Sequence, residues 1–386
     1  MIRWSRWVSC PRNLADPQDK ITGTGDNIIV TGHSTLYALV RLLVALPIGV
    51  WVDRVDRRTI LIVANVLRGG AVLALAICVQ LGVGGLALLY VAFAVIGTLE
   101  SAADNAAVSF VPSVVRKDQL DTANGRISAA QLIADEFAGP PLGGFLFAIA
   151  AAAPVYAMGG LWAAAGLIAL ALPLRRATSP GAVPAVRTSA WREAAAGASW
   201  LVRHRVVGGL AVIGALASVG YMLPFSILVI FAQEQLGLDG VGYGVILAVS
   251  ALGGLVGSFT TARIRSRIGY RWTIVASLLT GAASLLALAA THDGVTASLL
   301  LAVYILHAVV WGICSTSLRQ RLVPDALRGR VNAAARVLGL LGLALGSLLG
   351  GVLAVVHIAL PVAAGGAVFT VCACTALVLV RTIEDD

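Results

Sequence analysis

Charged side chains are scarce in this 386-residue sequence, and their scarcity excludes the class of soluble globular proteins. Only 12% of the residues are Asp, Glu, Lys or Arg, whereas 59% are hydrophobic and the mean hydropathy is +0.90. Soluble domains carry roughly 25% charged residues. The sequence also has 42 glycines, a residue type that is frequent in transmembrane helices. The composition therefore indicates a protein built from membrane-spanning helices.

Cysteines and catalytic motifs are also few. We interpret the five cysteines as apolar packing residues, since they show neither disulfide nor zinc spacing: Cys10, Cys78, Cys314, Cys372 and Cys374. The sequence has no phosphate-binding GxxxxGK motif followed by Ser or Thr, no metal-ligand constellation and no nucleophile–base arrangement. We therefore expect neither an enzyme nor an ATP-driven protein, and no metal or cofactor.

Apolar segments of about 20 residues, the length that crosses a bilayer as a helix, recur along the chain. Eleven are predicted as transmembrane helices: 28–52, 59–80, 84–111, 121–150, 154–174, 206–234, 241–262, 271–291, 296–318, 328–356 and 360–381. Residues 1–27 are too polar to span a bilayer and lack the apolar core of a signal peptide. The polar segment 175–205 is predicted to be a linker, in which Trp191–Trp200 forms an interfacial amphipathic helix. The predicted fold is an all-α integral membrane protein with helical halves at 28–174 and 206–386.

The loops between these spans predict the orientation of the protein. If the spans alternate in direction, the basic clusters all lie on one side: Arg54, Arg57 and Arg58; Arg116 and Lys117; Arg175, Arg176, Arg187 and Arg192; Arg263, Arg265, Arg267 and Arg271; and Arg319, Arg321, Arg328 and Arg330. The opposite loops contain no Lys or Arg. The positive-inside rule predicts that the basic side and the C-terminal residues Arg381–Asp386 are cytoplasmic, in the cell membrane. Charge divided among short loops does not form the continuous basic face of a nucleic-acid-binding protein.

The two halves carry an internal repeat. Three pairs of residues are each 207 positions apart: Asp118 and Asp325, Gly139 and Gly346, and Gly143 and Gly350. The halves should therefore have the same helix order, and span 206–234 should have a counterpart near residues 1–27. Because 1–27 is polar, we expect the first of twelve helices to be missing or degraded. Two explanations stay open: a misassigned start or altered reading frame upstream of a twelve-helix protein, or a natural eleven-helix variant.

Three motifs carry a family resemblance over about residues 28–386. They are Gly49-x-x-x-Asp53-Arg54-x-x-Arg57-Arg58, then Glu100-x-x-x-Asp104-Asn105, and then Gly139-Pro140-Pro141-x-Gly143-Gly144. The sequence resembles the major facilitator superfamily, in particular its bacterial multidrug-exporter-like members. The second-half copy of the loop motif, Gly257-x-x-x-Thr261-Ala-Arg263, lacks the acidic residue. The resemblance implies alternating access between two six-helix halves, with the loop motif holding the halves closed on the cytoplasmic face.

The first motif predicts a cytoplasmic gate. A carboxylate at the C-terminal end of a helix opposes the helix dipole unless it is paired. For Asp53 the expected partners are Arg54, Arg57 and the positive N-terminus of span 328–356, while Gly49 allows close backbone approach. The predicted gate comprises Gly49, Asp53, Arg54, Arg57, Arg58, Arg328 and Arg330. The alternative is a basic loop that only sets topology.

The third motif predicts a kinked helix, because prolines remove backbone donors. Its residues are Gly139, Pro140, Pro141, Gly143 and Gly144. Such a helix either pivots to seal the transport path or simply packs against its counterpart in the repeat. Both readings stay open from the sequence.

Ionisable residues within the predicted spans are costly and usually face a cavity. They are Arg41, Arg68, Glu100, Asp104, Asp135, Glu136 and Arg336. Glu100, Asp104 and Glu136 are the candidates for proton coupling, because burial raises a carboxylate pKa towards neutrality. Arg41, Arg68 and Arg336 are predicted cavity charges, and the alternative for this set is a structural ion pair. We interpret His307 as a packed or hydrogen-bonded helix residue.

The leading hypothesis is a secondary transporter that exports a small lipophilic or amphipathic compound, driven by inward proton flow. Aromatic residues on 206–262 and 296–318, such as Tyr221 and Phe225, are candidates for holding the substrate. The rival hypotheses are a truncated, non-transporting relative and an uptake symporter. The expected partners are the lipid bilayer and the substrate, and we expect a monomer that binds no nucleic acid.

Overall fold

The structure is a computed structural model that describes residues 47–81, 86–150, 152–171 and 190–379. All regular secondary structure in these ranges is helical, which confirms the predicted all-α fold class. Residues 1–46 lie outside the described part, and with them fall Arg41, most of span 28–52 and the polar segment 1–27. The C-terminal residues Arg381–Asp386 and residues 175–189 of the linker are likewise outside it.

The described helices follow the predicted spans closely. In chain order they are α1 (47–54), α2 (Arg57–Gln80), α3 (Leu86–Val114), α4 (Leu120–Leu132), α5 (Gly139–Ile149), α6 (Ala153–Ala169), α7 (Ala190–Arg203), α8 (Arg205–Phe225), α9 (Leu228–Glu234), α10 (Gly240–Ala290), α11 (Gly294–Leu322), α12 (Arg328–Val356) and α13 (Leu360–Leu379). A π-helical segment, Ile133–Ala138, joins α4 to α5.

Seven helical units in the described ranges are long and apolar enough to cross a bilayer, or eight if the bent pair formed by α4 and α5 counts as one span. α10 contains two of the predicted spans, 241–262 and 271–291. They are joined at Gly269, whose φ of 74° is accessible to glycine at little cost. Large apolar side chains such as Leu161, Leu348 and Val355 are exposed on the outside, which suits lipid rather than water.

The internal repeat is visible in local structure. Short 3₁₀ turns, Lys117–Gln119 and Asp325–Leu327, precede α4 and α12, and their first residues are 208 positions apart. This offset agrees within one residue with the repeat found in the sequence. The two helices that follow these turns supply the closing contacts described below.

The largest core cluster belongs to the second half. Tyr304 of α11 and Phe231 of α9 are fully buried there, together with Leu285 of α10 and Phe369 of α13. His307 is buried beside Tyr304: its Nδ1 lies 2.5 Å from the Tyr304 carbonyl oxygen, and its ring contacts Phe369 edge-on. The interpretation of His307 as a packed, hydrogen-bonded residue therefore agrees with its contacts.

Candidate functional site

The Asp53 carboxylate closes the space between α1 and α12. Its Oδ1 accepts a hydrogen bond from the Gly329 main-chain N–H at 2.6 Å, and its Oδ2 accepts one from the Arg330 N–H at 3.0 Å. The Arg330 Nε lies 3.3 Å from the same Oδ2, and only 1% of the Asp53 side chain is exposed. The first N–H groups of a helix have no partner within the helix and carry a partial positive charge. Asp53 thus satisfies the N-terminus of α12 as the sequence predicts.

Burial sets the protonation of this carboxylate. Removal from water raises the pKa of Asp53 from its ordinary 3.8 to about 6. The Gly329 and Arg330 amides, followed by the nearby guanidinium charges, act in the opposite direction without cancelling that effect. A carboxyl group with a pKa near 6 changes charge close to physiological pH.

Two glycines allow the helices to approach closely enough for this contact. A Cβ at Gly49 would lie 2.5 Å from the Ala333 Cβ and 2.7 Å from the Gly329 carbonyl oxygen. A Cβ at Gly329 would lie 2.4 Å from the Gly49 carbonyl oxygen. Either methyl group would force α1 and α12 apart, so both positions require the absence of a side chain.

The basic residues of the loop motif have partners other than Asp53, which corrects the expected pairing. Arg57 donates one hydrogen bond to the Asp325 carboxylate at 2.9 Å and another to the Asp325 main-chain carbonyl at 3.0 Å. Arg54 forms an ion pair with Glu193 of α7. The reason is that the two main-chain amides of α12 and Arg330 already occupy the Asp53 oxygens.

The remaining gate candidates divide between the two halves. Arg328 donates to the Asp325 carboxylate at 2.5 Å, and Arg330 pairs with Glu193 at 3.0 Å. Arg58, by contrast, donates to the Leu170 carbonyl beyond the end of α6, within its own half. Among the described residues, the hydrogen bond of Arg58 therefore stays within the first half.

A second contact between halves forms where the degenerate loop meets α4. Asp121, fully buried in the first turn of α4, pairs with Arg265 at 2.6 Å and lies 3.9 Å from Arg321. The Tyr270 hydroxyl donates to the same carboxylate at 2.9 and 3.0 Å. Arg265 is the counterpart of Arg57 at the offset of 208 that relates Gly49 to Gly257. The acid absent from the second loop is thus supplied by the helix that faces it.

The main cavity lies between the halves and has a volume of about 490 Å³. It is lined by Val108 of α3 and by α4 with its π-helical extension from the first half, and by α8, α10 and α11 from the second. Glu136 is on this lining, together with Tyr221 and Phe225, whose rings stack with centroids 4.4 Å apart. Asn124 also lines it and donates to Ser317 and Gln320 of α11 at 2.8 Å. One carboxylate and one aromatic pair therefore face a largely apolar chamber.

The structure separates the three carboxylates considered for proton coupling. Glu136 lines the main cavity, whereas Asp104 pairs with Arg336 of α12 at 2.9 Å and lines a smaller cavity. Glu100 lies on α3 one turn before Asp104 and is partly buried. It is not among the residues that line either cavity in the described part of the chain. Glu136 therefore has the most direct access to a ligand.

Arg68 stacks on an aromatic ring of its own half. Its guanidinium lies over the Trp162 ring, 4.2 Å from the ring centroid, and its Nη1 is 3.4 Å from the Asn65 side-chain oxygen. This contact joins α2 to α6 within the first half. In the described part of the chain Arg68 lines neither of the two cavities described above, and its role as a cavity charge stays a prediction.

The predicted kink is present in the helix that carries Glu136. The helical stretch Lys117–Ala138 and the stretch Pro141–Ile149 meet at 45°. The π-helical segment ends at Gly139, whose N–H bonds to the Ala134 carbonyl in place of the usual i−4 acceptor. A Cβ at Gly143 or Gly144 would find no atom within 4 Å among the described residues. The described contacts thus explain Gly139 by the π-turn and give the later glycines no packing partner.

Comparison with known proteins assigns this architecture to a family. A family model described as Major Facilitator Superfamily matches residues 26–347 and 210–385. A search of curated proteins gives no match.

Solved structures share the fold. A bacterial homologue of the iron transporter ferroportin, in an outward-facing state, matches with a TM-score of 0.72 and 17% identity over 92% of this chain and 90% of its own. The human organic anion transporter MFSD10 matches with a TM-score of 0.71 and 17% identity, over 91% of this chain and 84% of its own. The Escherichia coli fucose:proton symporter matches with a TM-score of 0.73 and 14% identity, over 91% of this chain and 93% of its own. At these identities the likeness concerns the fold.

Proposed function

Since this chain belongs to the Major Facilitator Superfamily, a family of transporters rather than enzymes, we propose that it is a proton-coupled exporter of small lipophilic or amphipathic compounds. It is a multi-pass membrane protein, and in the proposal it lies in the cell membrane with its basic loops and C-terminus in the cytoplasm. It works as a monomeric antiporter of the multidrug type. The proton gradient supplies the energy for transport, and no cofactor is required.

The observation that carries this proposal is the pairing of a closed end with a cavity that holds a carboxylate. Asp53 and Asp121 each bind the opposite half at the basic end, so release of both contacts would open the cavity to that side. Glu136 faces the cavity, so a proton can bind its carboxylate where the substrate also binds. Binding of the proton and binding of the substrate would then compete or alternate. Tyr221 and Phe225 offer an apolar surface to an amphipathic ligand.

Transport in inside-out membrane vesicles tests this function and its direction. Respiration acidifies the vesicle lumen, so a proton-driven exporter accumulates its substrate there. The probes are labelled taurocholate and ethidium, an amphipathic anion and an amphipathic cation whose charges do not titrate near neutral pH. We expect accumulation of one probe that collapses when a protonophore is added. Gradient-driven depletion of a preloaded probe would instead establish an uptake symporter, and no gradient-dependent movement of either probe would contradict the proposal.

A further inference from the structure

A second cavity of about 320 Å³ adjoins the main one, with Val108 lining both. It lies between α3 of the first half and helices α8, α11 and α12 of the second. Its polar lining consists of Asp104, Asn105, Ser218, Arg319, Asn332 and Arg336. Two arginines and one carboxylate face this space, so its fixed charge is net positive.

Arg319 is the unusual member of this group. Its Nε is buried and has no hydrogen-bond acceptor in the part of the chain that the structure describes. The other cavity arginine, Arg336, is paired with Asp104 at 2.9 Å, and no such ion pair is formed by Arg319 among the described residues. An arginine keeps its charge in a protein, and a sheltered charge without a counter-ion is unfavourable. The cavity therefore contains a cation that lacks an anion.

The neutral side chains around Arg319 donate their hydrogen bonds to other groups of the protein. The Asn105 amide donates to the Gly329 carbonyl at 3.2 Å, and the Ser218 hydroxyl donates to the Gly214 carbonyl at 2.9 Å. The Asn332 amide donates to the Ser109 hydroxyl at 3.3 Å. Among the described residues none of these groups accepts a hydrogen bond from the Arg319 Nε, so a ligand in the cavity can supply that acceptor.

We propose that this cavity binds the carboxylate of an organic anion, with Arg319 as its principal anchor and Arg336 as a second donor. The planar guanidinium donates two parallel hydrogen bonds to a carboxylate, which matches its geometry. The apolar body of the anion lies along Val108 and Ala335, towards the main cavity. This inference rests on the proposed function and names the substrate class as amphipathic organic anions.

The location links the anion to the closing contact. Asn105, on the cavity wall, donates to the carbonyl of Gly329, the residue whose N–H binds Asp53. A bound anion beside Arg319 and Arg336 therefore lies next to the start of α12.

Equilibrium binding to the full-length protein in lipid nanodiscs tests the site without any proton gradient. The probes are salicylate, an aromatic carboxylate, and inorganic phosphate, titrated by calorimetry. We expect saturable salicylate binding that is tighter than phosphate binding, because the remaining walls are apolar. Loss of a charged hydrogen-bond donor in Arg319→Gln should weaken salicylate binding by about tenfold or more. Arg319→Lys, which keeps the charge, should recover part of the affinity and shows that loss of folding is not the cause.

The matched control is Arg267→Gln, which removes the same charge from an exposed position on α10 and should bind salicylate like the parent. Equal affinity in the parent and Arg319→Gln, no saturable binding, or tighter binding of phosphate would each overturn the inference. Binding is measured without a proton gradient. If the protein binds salicylate but moves neither taurocholate nor ethidium in the vesicle experiment, proton-coupled export is refuted and the anion site is not.

Discussion

The Asp53 carboxylate lies 2.6 Å from the main-chain nitrogen of Gly329, a residue 276 positions further along the chain. A single buried acid thus satisfies the N-terminus of a helix in the other half of the molecule. Gly49 and Gly329 make the approach possible, and Glu193 of α7 draws Arg54 and Arg330 together above it. This contact supports the proposed gate at the basic end.

Asp53 should make the closed state depend on pH. Its pKa is near 6 when closed and near 3.8 when the carboxyl is exposed, so proton binding favours closure. The difference corresponds to about 3 kcal/mol, fully present below pH 4 and lost as the pH rises through about 6. We therefore expect hydrogen exchange at the Gly329 and Arg330 amides, corrected for intrinsic rates, to be slower at pH 5 than at pH 7.5.

The control for this prediction is Asp53→Asn, which cannot change charge. Its amide exchange at Gly329 should lose the pH dependence while peptides in the second-half core, around Tyr304, behave as in the parent. Protection that instead increases with pH in the parent would show that the charged carboxylate binds α12 more strongly than burial opposes it.

Gly49→Ala should weaken the contact between α1 and α12. The added methyl would lie 2.5 Å from the Ala333 Cβ, and relief of such overlap costs about 1–3 kcal/mol. We expect faster exchange at the start of α12 and a lower melting temperature. Gly70→Ala is the matched substitution, since no described atom lies within 4 Å of a Cβ there. A parent-like melting temperature and exchange in Gly49→Ala would mean that the two helices are not held in close contact.

Asp121→Asn should destabilise the protein more than any surface acid. It removes the buried charge that pairs with Arg265, whose side chain is 21% exposed, and breaking a buried ion pair typically costs about 3–5 kcal/mol. Asp118→Asn removes a surface ion pair with Arg116, in which the Arg116 side chain is 75% exposed and the Asp118 side chain 67%. Such exposed ion pairs contribute about 0–1 kcal/mol to stability. Thermal unfolding in matched detergent should rank the two substitutions widely apart. Similar melting temperatures for both would show that the Asp121 contact contributes little.

The sequence predicted the fold class, most span positions and the Asp53 contact, because each depends on local patterns. Apolar run lengths define the spans, and the chemistry of a helix N-terminus identifies a carboxylate partner. The partners of Arg54 and Arg57 were not predictable in the same way. Glu193 and Asp325 come from distant elements, and their approach is decided by packing between helices.

The second-half contact shows what a repeat can and cannot reveal. The loop 257–263 lacks an acid, so it appears degenerate when it is compared with the first-half loop alone. Alignment of Arg57 with Arg265 was a usable signal, and Asp121 in the first turn after the repeated 3₁₀ turn was the acid to look for. The position of Arg68 over Trp162 had no such signal, because stacking between helices leaves no trace in sequence spacing.

Proton movement coupled to substrate movement tests the proposed antiport directly. Proteoliposomes loaded with taurocholate and a trapped pH-sensitive dye are diluted into probe-free buffer. We expect the lumen to acidify as taurocholate leaves, and we expect Glu136→Gln to abolish this acidification. Glu234→Gln, the same change at an exposed position on α9, should retain it. A lumenal pH that follows protein-free liposomes in the parent, or a Glu136→Gln variant that acidifies like the parent, would contradict proton coupling through Glu136.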